Sequence, residues 1–238
     1  MRNRTLSRPL IAAGIAAVML SGCGTVTEGE PVASEELTIS TTTSTVPPRT
    51  PTPRTTTQAP DYIPESPYQI VDRLKAFWLT KKVDLRDVIP EEDPALICNG
   101  KTLAEGDARA LYCDGGEPDG RPPLPDYLKW KPALVSGMSD PVLGTAAHIT
   151  LAHEMGHAVQ DWTGRVEGDT GTPTSPSELS ADCLAGFYVS QTGLDRELVE
   201  EALPHTRIGD SRQRIEAFEK GMSLPASKGT TCLKAYEQ

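Results

Sequence analysis

Residues 150–162 read Thr150-Leu151-Ala152-His153-Glu154-Met155-Gly156-His157-Ala158-Val159-Gln160-Asp161-Trp162, and His153-Glu154-x-x-His157 within them decides how the chain is read. On a helix, positions i and i+4 share one face, a turn apart. Two imidazoles so placed reach one zinc ion at roughly 2.0–2.1 Å. The glutamate between them is positioned to act as a base toward water activated by that metal. The flanks extend the helix, with apolar residues at 149, 152, 155 and 159 in the rhythm of a buried face. Gly164 falls where a left-handed C-terminal cap belongs. Gly156 inside the helix costs about 1 kcal/mol against alanine, a cost that makes sense if another backbone or a substrate passes close by. A largely apolar helix must satisfy its two histidines and its glutamate, and a metal ion does so.

A third protein ligand comes from residues 175–189, Ser-Pro-Ser-Glu-Leu-Ser-Ala-Asp-Cys-Leu-Ala-Gly-Phe-Tyr-Val. Ser175 suits the N-cap and Pro176 the first helical position, which puts Glu178 and Asp182 on one face. Two histidines and a glutamate, with a fourth position open, form a catalytic zinc set. Asp182 can then accept the free ring N–H of a ligating histidine, His153 first, and fix its tautomer. Ser175-x-x-Glu178 equally fits a capping box, with Glu178 bonded back to the Ser175 amide. The spacing alone leaves both readings open.

His153-Glu154-x-Gly156-His157-x-Val159-Gln160, followed by Glu178-Leu179-x-Ala181-Asp182-Cys183, resembles the gluzincin group of zinc metallopeptidases. More narrowly it is similar to a bacterial neutral zinc metallopeptidase family, closely over residues 150–190 and loosely over 94–232. The resemblance implies His153, His157 and Glu178 as zinc ligands, Glu154 as catalytic base, and Asp182 behind one histidine. Two departures from the family pattern stand out. Asp114–Leu134 is rich in Pro and Gly and shows no tidy strand ahead of the active-site helix. The family's His-Gly-Ser/Thr element has as its nearest counterpart Pro204-His205-Thr206, with the histidine displaced. His205 is thus a candidate donor to the developing oxyanion, with Arg207 or a tyrosine as alternatives. His148 lies off the ligand face.

The N-terminus bears on location. Arg2, Arg4 and Arg8 precede the apolar run Leu10–Leu20, which is too short to span a bilayer, and Leu20-Ser21-Gly22-Cys23 resembles a lipoprotein lipobox. Residues 1–22 are therefore expected to be a signal peptide and Cys23 the lipidated residue, anchoring the protein to the outer face of a bacterial membrane. Residues 23–65, dominated by Thr, Pro, Ser and Ala, are expected to form a disordered tether. Residues 66–238 suffice for one core. Losing the leader removes three arginines and no acid, taking the formal charge from −10 to −13. Such an acidic domain argues against nucleic acid and anionic lipid as partners.

Beyond Cys23 the chain keeps four of its 5 cysteines, Cys98, Cys113, Cys183 and Cys232. Four cysteines allow three connectivities. Cys98–Cys113 is favoured because Ala95–Cys98 and Ala110–Cys113 read as neighbouring strands, leaving Cys183–Cys232 to tie the chain's end to the Glu178 helix. Ser66-Pro67 opens a helix with apolar residues at 70, 71, 74, 77 and 78, and 94–114 reads as short strands. Asp195–Leu203 and Ser211–Gly221 read as helices, with Ile215 and Phe218 toward a core that also takes the tryptophans.

These readings converge on an α+β, zincin-like domain, mainly helical around the His153–His157 helix with a small sheet. Its expected activity is zinc-dependent hydrolysis of peptide or protein substrates. The competing expectation is an inactive module of the same fold that binds partners in the cell envelope, which would have no need of Glu154.

Overall fold

Ser66 starts the first helix, α1 (Pro67–Thr80), through a complete capping box with Gln69. The helix buries Ile70, Val71, Leu74 and Trp78, while Phe77 is only partly covered. The computed structural model describes residues 62–98, 100–102, 108–116, 124–164 and 172–236. The expected leader, Cys23 and nearly all of the expected tether lie outside the described residues. Tyr62, ahead of the expected domain boundary at 66, already donates a hydrogen bond to the Met138 carbonyl.

Among the described residues five short strands follow: β1 (Ile89–Glu92), β2 (Ile97–Cys98), β3 (Lys101–Thr102), β4 (Ala110–Cys113) and β5 (Tyr127–Trp130). A three-stranded sheet has the order β1-β5-β4, with β1 parallel and β4 antiparallel to the central β5, and β2 pairs with β3 separately. The central strand thus falls in the Pro/Gly-rich stretch where the sequence shows none, which corrects that expectation. Leu128 and Trp130 are fully buried. Lys129 between them is satisfied by Glu91 at 3.0 Å, Asp93 at 3.1 Å and the Ile97 carbonyl at 2.8 Å. A lysine neutralised in this way does not interrupt a strand, although in sequence it reads as a surface residue.

The helical part consists of α2 (Pro132–Val135), α3 (Pro141–Thr163), α4 (Pro176–Gln191), α5 (Arg196–Ala202), α6 (Arg212–Met222) and α7 (Thr231–Ala235), with 3-10 turns at Leu203–His205 and Arg207–Asp210. Among the described residues this is a mixed α+β fold of seven α-helices and a small three-stranded sheet. No described helix is long and apolar enough to cross a membrane. Helix α3 is longer than its motif, capped by Asp140 at one end and by Gly164, at φ 70°, at the other.

Close helix packing positions the motif residues. A Cβ on Gly156 would sit 3.0 Å from both Cα and O of Ala181, so the missing side chain lets α4 approach α3. On the far side of α4, Gly221 of α6 lies against the Cys183 carbonyl and Gly186 against that of Phe218. Helix α4 is therefore held between α3 and α6. Both favoured disulfides are present, Cys98–Cys113 and Cys183–Cys232, with Cα separations of 5.6 and 5.5 Å. The first joins strands of different sheets rather than the neighbouring pair expected. Trp78 and Trp130 are core residues and Trp162 is half-buried. Phe218 is buried as expected, but Ile215 is half-exposed. The buried face of α6 runs instead through Arg214, Ala217, Phe218 and Gly221.

Candidate metal centre

His153 and His157 stand one turn apart on α3 with their Nε2 atoms 3.2 Å apart. Glu178 comes from the first turn of α4. Its Oε2 lies 3.3 Å from His153 Nε2 and its Oε1 lies 3.3 Å from His157 Nε2. Ligand atoms at roughly 2.0–2.1 Å around a tetrahedral ion sit about 3.3–3.4 Å from one another, so these separations have the size of tetrahedral edges. The three side chains form a group that can hold a metal ion. The capping-box alternative fails on the Ser175 amide, which donates to the Thr172 carbonyl at 3.0 Å. Ser175 Oγ does accept the Glu178 N–H, at 3.3 Å, but the Glu178 carboxylate faces the imidazoles.

Each ring has a partner behind it. His153 Nδ1 lies 2.7 Å from Asp182 Oδ1, although no well-aligned acceptor stands in line with its N–H among the described residues. That contact is ionic before it is directional. Burial pushes the His153 pKa down, and the carboxylates of Asp182 and Glu178 outweigh it and hold the ring at about 10. For Glu178 burial acts upward, yet hydrogen bonding and charge from the two histidines hold its carboxyl far below the usual range. His157 Nδ1 lies 3.0 Å from Gln160 Oε1.

Arg214 was not among the residues expected at the site. Buried to 3 % exposure, it donates to Asp182 through Nε at 2.8 Å and Nη2 at 2.9 Å. The same Nη2 reaches Glu178 Oε2 at 3.2 Å. Arg214 thus neutralises the fully buried Asp182 while touching a candidate ligand. Its trace in the sequence is the spacing 214, 217, 218, 221, one face of a helix with a cation where an apolar residue is usual.

The triad opens into a cleft of about 910 Å³ lined by β4, α3, Glu178, Arg214 and the 3-10 turns. Glu154 faces this cleft outside the ligand triad, and its Oε2 accepts the backbone N–H of Tyr112 at 2.7 Å. His205 and Arg207 both line the cleft and are exposed. The Tyr112 phenol turns to Asp161 Oδ2 at 3.3 Å. Asp114, Asp126 and Asp161 cluster at that end, where backbone amides of Gly116 and Gly115 donate to the first two. His148, off the ligand face, is a core residue. It bonds Tyr188 Oη at 2.8 Å, and burial, with a smaller contribution from Arg73, pushes its pKa down to about 3.

No protein-family model, no curated protein and no solved structure matches this chain.

Proposed function

We propose that this chain is a zinc-dependent peptidase related to the gluzincin-like enzymes its motifs resemble. The observation that carries the reading is the set of 3.2 and 3.3 Å separations between His153, His157 and Glu178, with Glu154 beside them and free of ligand duty. Two imidazoles and one carboxylate with an open position are a catalytic rather than a structural zinc set, since structural sites close with four protein ligands, often thiolates. The four described cysteines are all in disulfides. A zinc ion held by the triad supplies Lewis acidity to a substrate carbonyl and to water.

The remaining chemistry belongs to the chain. Glu154 takes a proton from the attacking water and delivers it to the departing amine. The Tyr112 amide orients the carboxylate for both transfers. The Lys131 amide donates to the Arg109 carbonyl, so by antiparallel alternation residues 109, 111 and 113 face β5 while Ala110 and Tyr112 turn their backbone groups to the cleft. An extended peptide pairs with that edge at Ala110 as an added strand, while the Tyr112 amide stays with Glu154. Lipidation of Cys23 belongs to the same proposal and places the activity at the outer face of a bacterial membrane. Metabolic labelling with a radioactive fatty acid, in wild type and Cys23→Ala, tests that part.

The deciding experiment measures bound metal and peptide cleavage on the full chain. Glu154→Gln is expected to keep stoichiometric zinc and lose nearly all activity, because it removes the proton acceptor and spares the ligands. His157→Ala is expected to lose both. Full activity in Glu154→Gln overturns the mechanism. A zinc-loaded wild type that cleaves nothing in a broad peptide library replaces the peptidase with the binding module.

A further inference from the structure

Gln160 is 2 % exposed and lies one turn beyond His157 on α3. Its side chain makes three contacts. Nε2 donates to the Ser177 carbonyl at 2.7 Å, and Oε1 accepts the Ser177 hydroxyl at 3.0 Å. Oε1 also lies 3.0 Å from His157 Nδ1. The Ser177 carbonyl can only accept, so the Gln160 NH2 must face it. The amide oxygen is thereby turned to His157, and an oxygen that can only accept requires a donor on Nδ1. The proton of the neutral ring is then on Nδ1, and the lone pair is on Nε2, which points at His153 and Glu178.

We infer that Gln160 is a positioning residue of the metal centre: it fixes the His157 tautomer and rotation, and through Ser177 sets the distance between the imidazole and the neighbouring Glu178. The inference rests on the metal-centre reading above and extends it. The two rings are held differently. His153 has the charged Asp182–Arg214 pair behind it, whereas His157 has a neutral amide. A carboxamide orients the ring without adding charge to a site that already gathers Glu154, Glu178 and Asp182. It also makes one side chain serve two helices. The same Oε1 that orders a ligand on α3 accepts the hydroxyl of the residue preceding the ligand on α4. Partners of this kind behind a ligating histidine typically change metal affinity about 10–100-fold when removed.

Two substitutions separate this role from simple helix stapling. Gln160→Met fills the space and offers His157 no acceptor. Gln160→Glu keeps an acceptor for His157 and for the Ser177 hydroxyl but loses the donor to the Ser177 carbonyl, so both variants lose the link that Nε2 makes to α4. Zinc affinity of the full chain is read by competition with a chromophoric chelator. The ligand field is read from the visible spectrum of the Co²⁺-loaded protein, and the His157 tautomer from imidazole ¹⁵N shifts. Gln160→Met is expected to bind zinc about 10–100-fold more weakly, with an altered Co²⁺ spectrum and no single His157 tautomer, whereas Gln160→Glu stays within about threefold of wild type. Equal affinities and one spectrum for all three chains overturn the inference. So does an equal loss in both variants, which marks a staple only. A wild-type chain that takes up no metal overturns the metal-centre reading itself, and the inference falls with it.

Discussion

Arg214 holds Asp182 with two parallel hydrogen bonds, Nε to Oδ2 at 2.8 Å and Nη2 to Oδ1 at 2.9 Å, and both residues are buried. The pair fixes the Asp182 carboxylate in place behind His153. A bidentate guanidinium–carboxylate pair has a geometry that lysine does not reproduce.

Removing Arg214 leaves Asp182 with the His153 ring as its remaining cationic neighbour. Arg214→Met is expected to destabilise the metal-free protein by at most about 3–5 kcal/mol, the usual cost of leaving one member of a buried pair alone, because His153 still faces Asp182. Adding Asp182→Leu to Arg214→Met should recover part of that loss, because no charge is then left unpaired. Urea unfolding in chelator measures both. A single variant as stable as wild type would show that Asp182 finds another partner.

Gly156→Ala sets two effects against each other. Alanine improves helix propensity by about 1 kcal/mol, but its Cβ would meet the Ala181 backbone at 3.0 Å. Helix α4 has no room to retreat, because α6 is pressed against its other side at Gly186 and Gly221. Overpacking of this kind costs about 1–3 kcal/mol, so it equals or exceeds the gain. Because α4 carries Glu178, zinc affinity is expected to fall more clearly than stability. Unaltered affinity would show that the helices yield elsewhere.

His148 makes the fold acid-sensitive. Its pKa is pushed down from 6.5 to about 3 by burial in the native protein, while the unfolded chain takes up the proton near 6.5. The stabilising contribution is therefore fully present above pH 6.5 and is lost as pH falls toward 3, by at most about 1.4 kcal/mol per unit. His148→Gln keeps a partner for Tyr188 without titrating. Its urea midpoint in chelator should vary less between pH 7 and 4.5 than that of wild type, and parallel curves would discount His148.

The two disulfides close loops of different length, with separations of 15 and 49 residues. In the chain-entropy model they contribute roughly 3 and 4 kcal/mol respectively. Replacing Cys183 and Cys232 by alanine should thus lower stability more than replacing Cys98 and Cys113. Non-reducing peptide mapping checks the pairing, and unfolding midpoints check the order.

The candidate ligand set was legible because it is local. His153, Glu154 and His157 lie within one turn or so of helix, and Glu178 with Asp182 repeats that spacing on the next helix. What acts across long sequence distances was not. Arg214 meets Asp182 only because glycines on α4 and α6 bring the two helices together. The hold on Glu154 comes from a backbone amide, which carries no side-chain identity to read. Strand β5 was missed because Lys129 gains its counter-charges from Glu91 and Asp93, residues placed beside it only by the sheet. Gln160 was visible within a motif, but its purpose depends on Ser177 of another helix.

The Cys183–Cys232 bridge and the Arg214–Asp182 pair share a direction along the chain: both join α4 to segments made after it. A nascent polypeptide that has reached Gln191 already holds every candidate ligand and the candidate base, yet it lacks the Arg214 partner of Asp182 and the bridge from Cys183 to Cys232. Assembly of the candidate metal centre is therefore completed late in synthesis, by residues far beyond the motif. Early termination would yield fragments that carry the whole motif without the later contacts that keep it assembled.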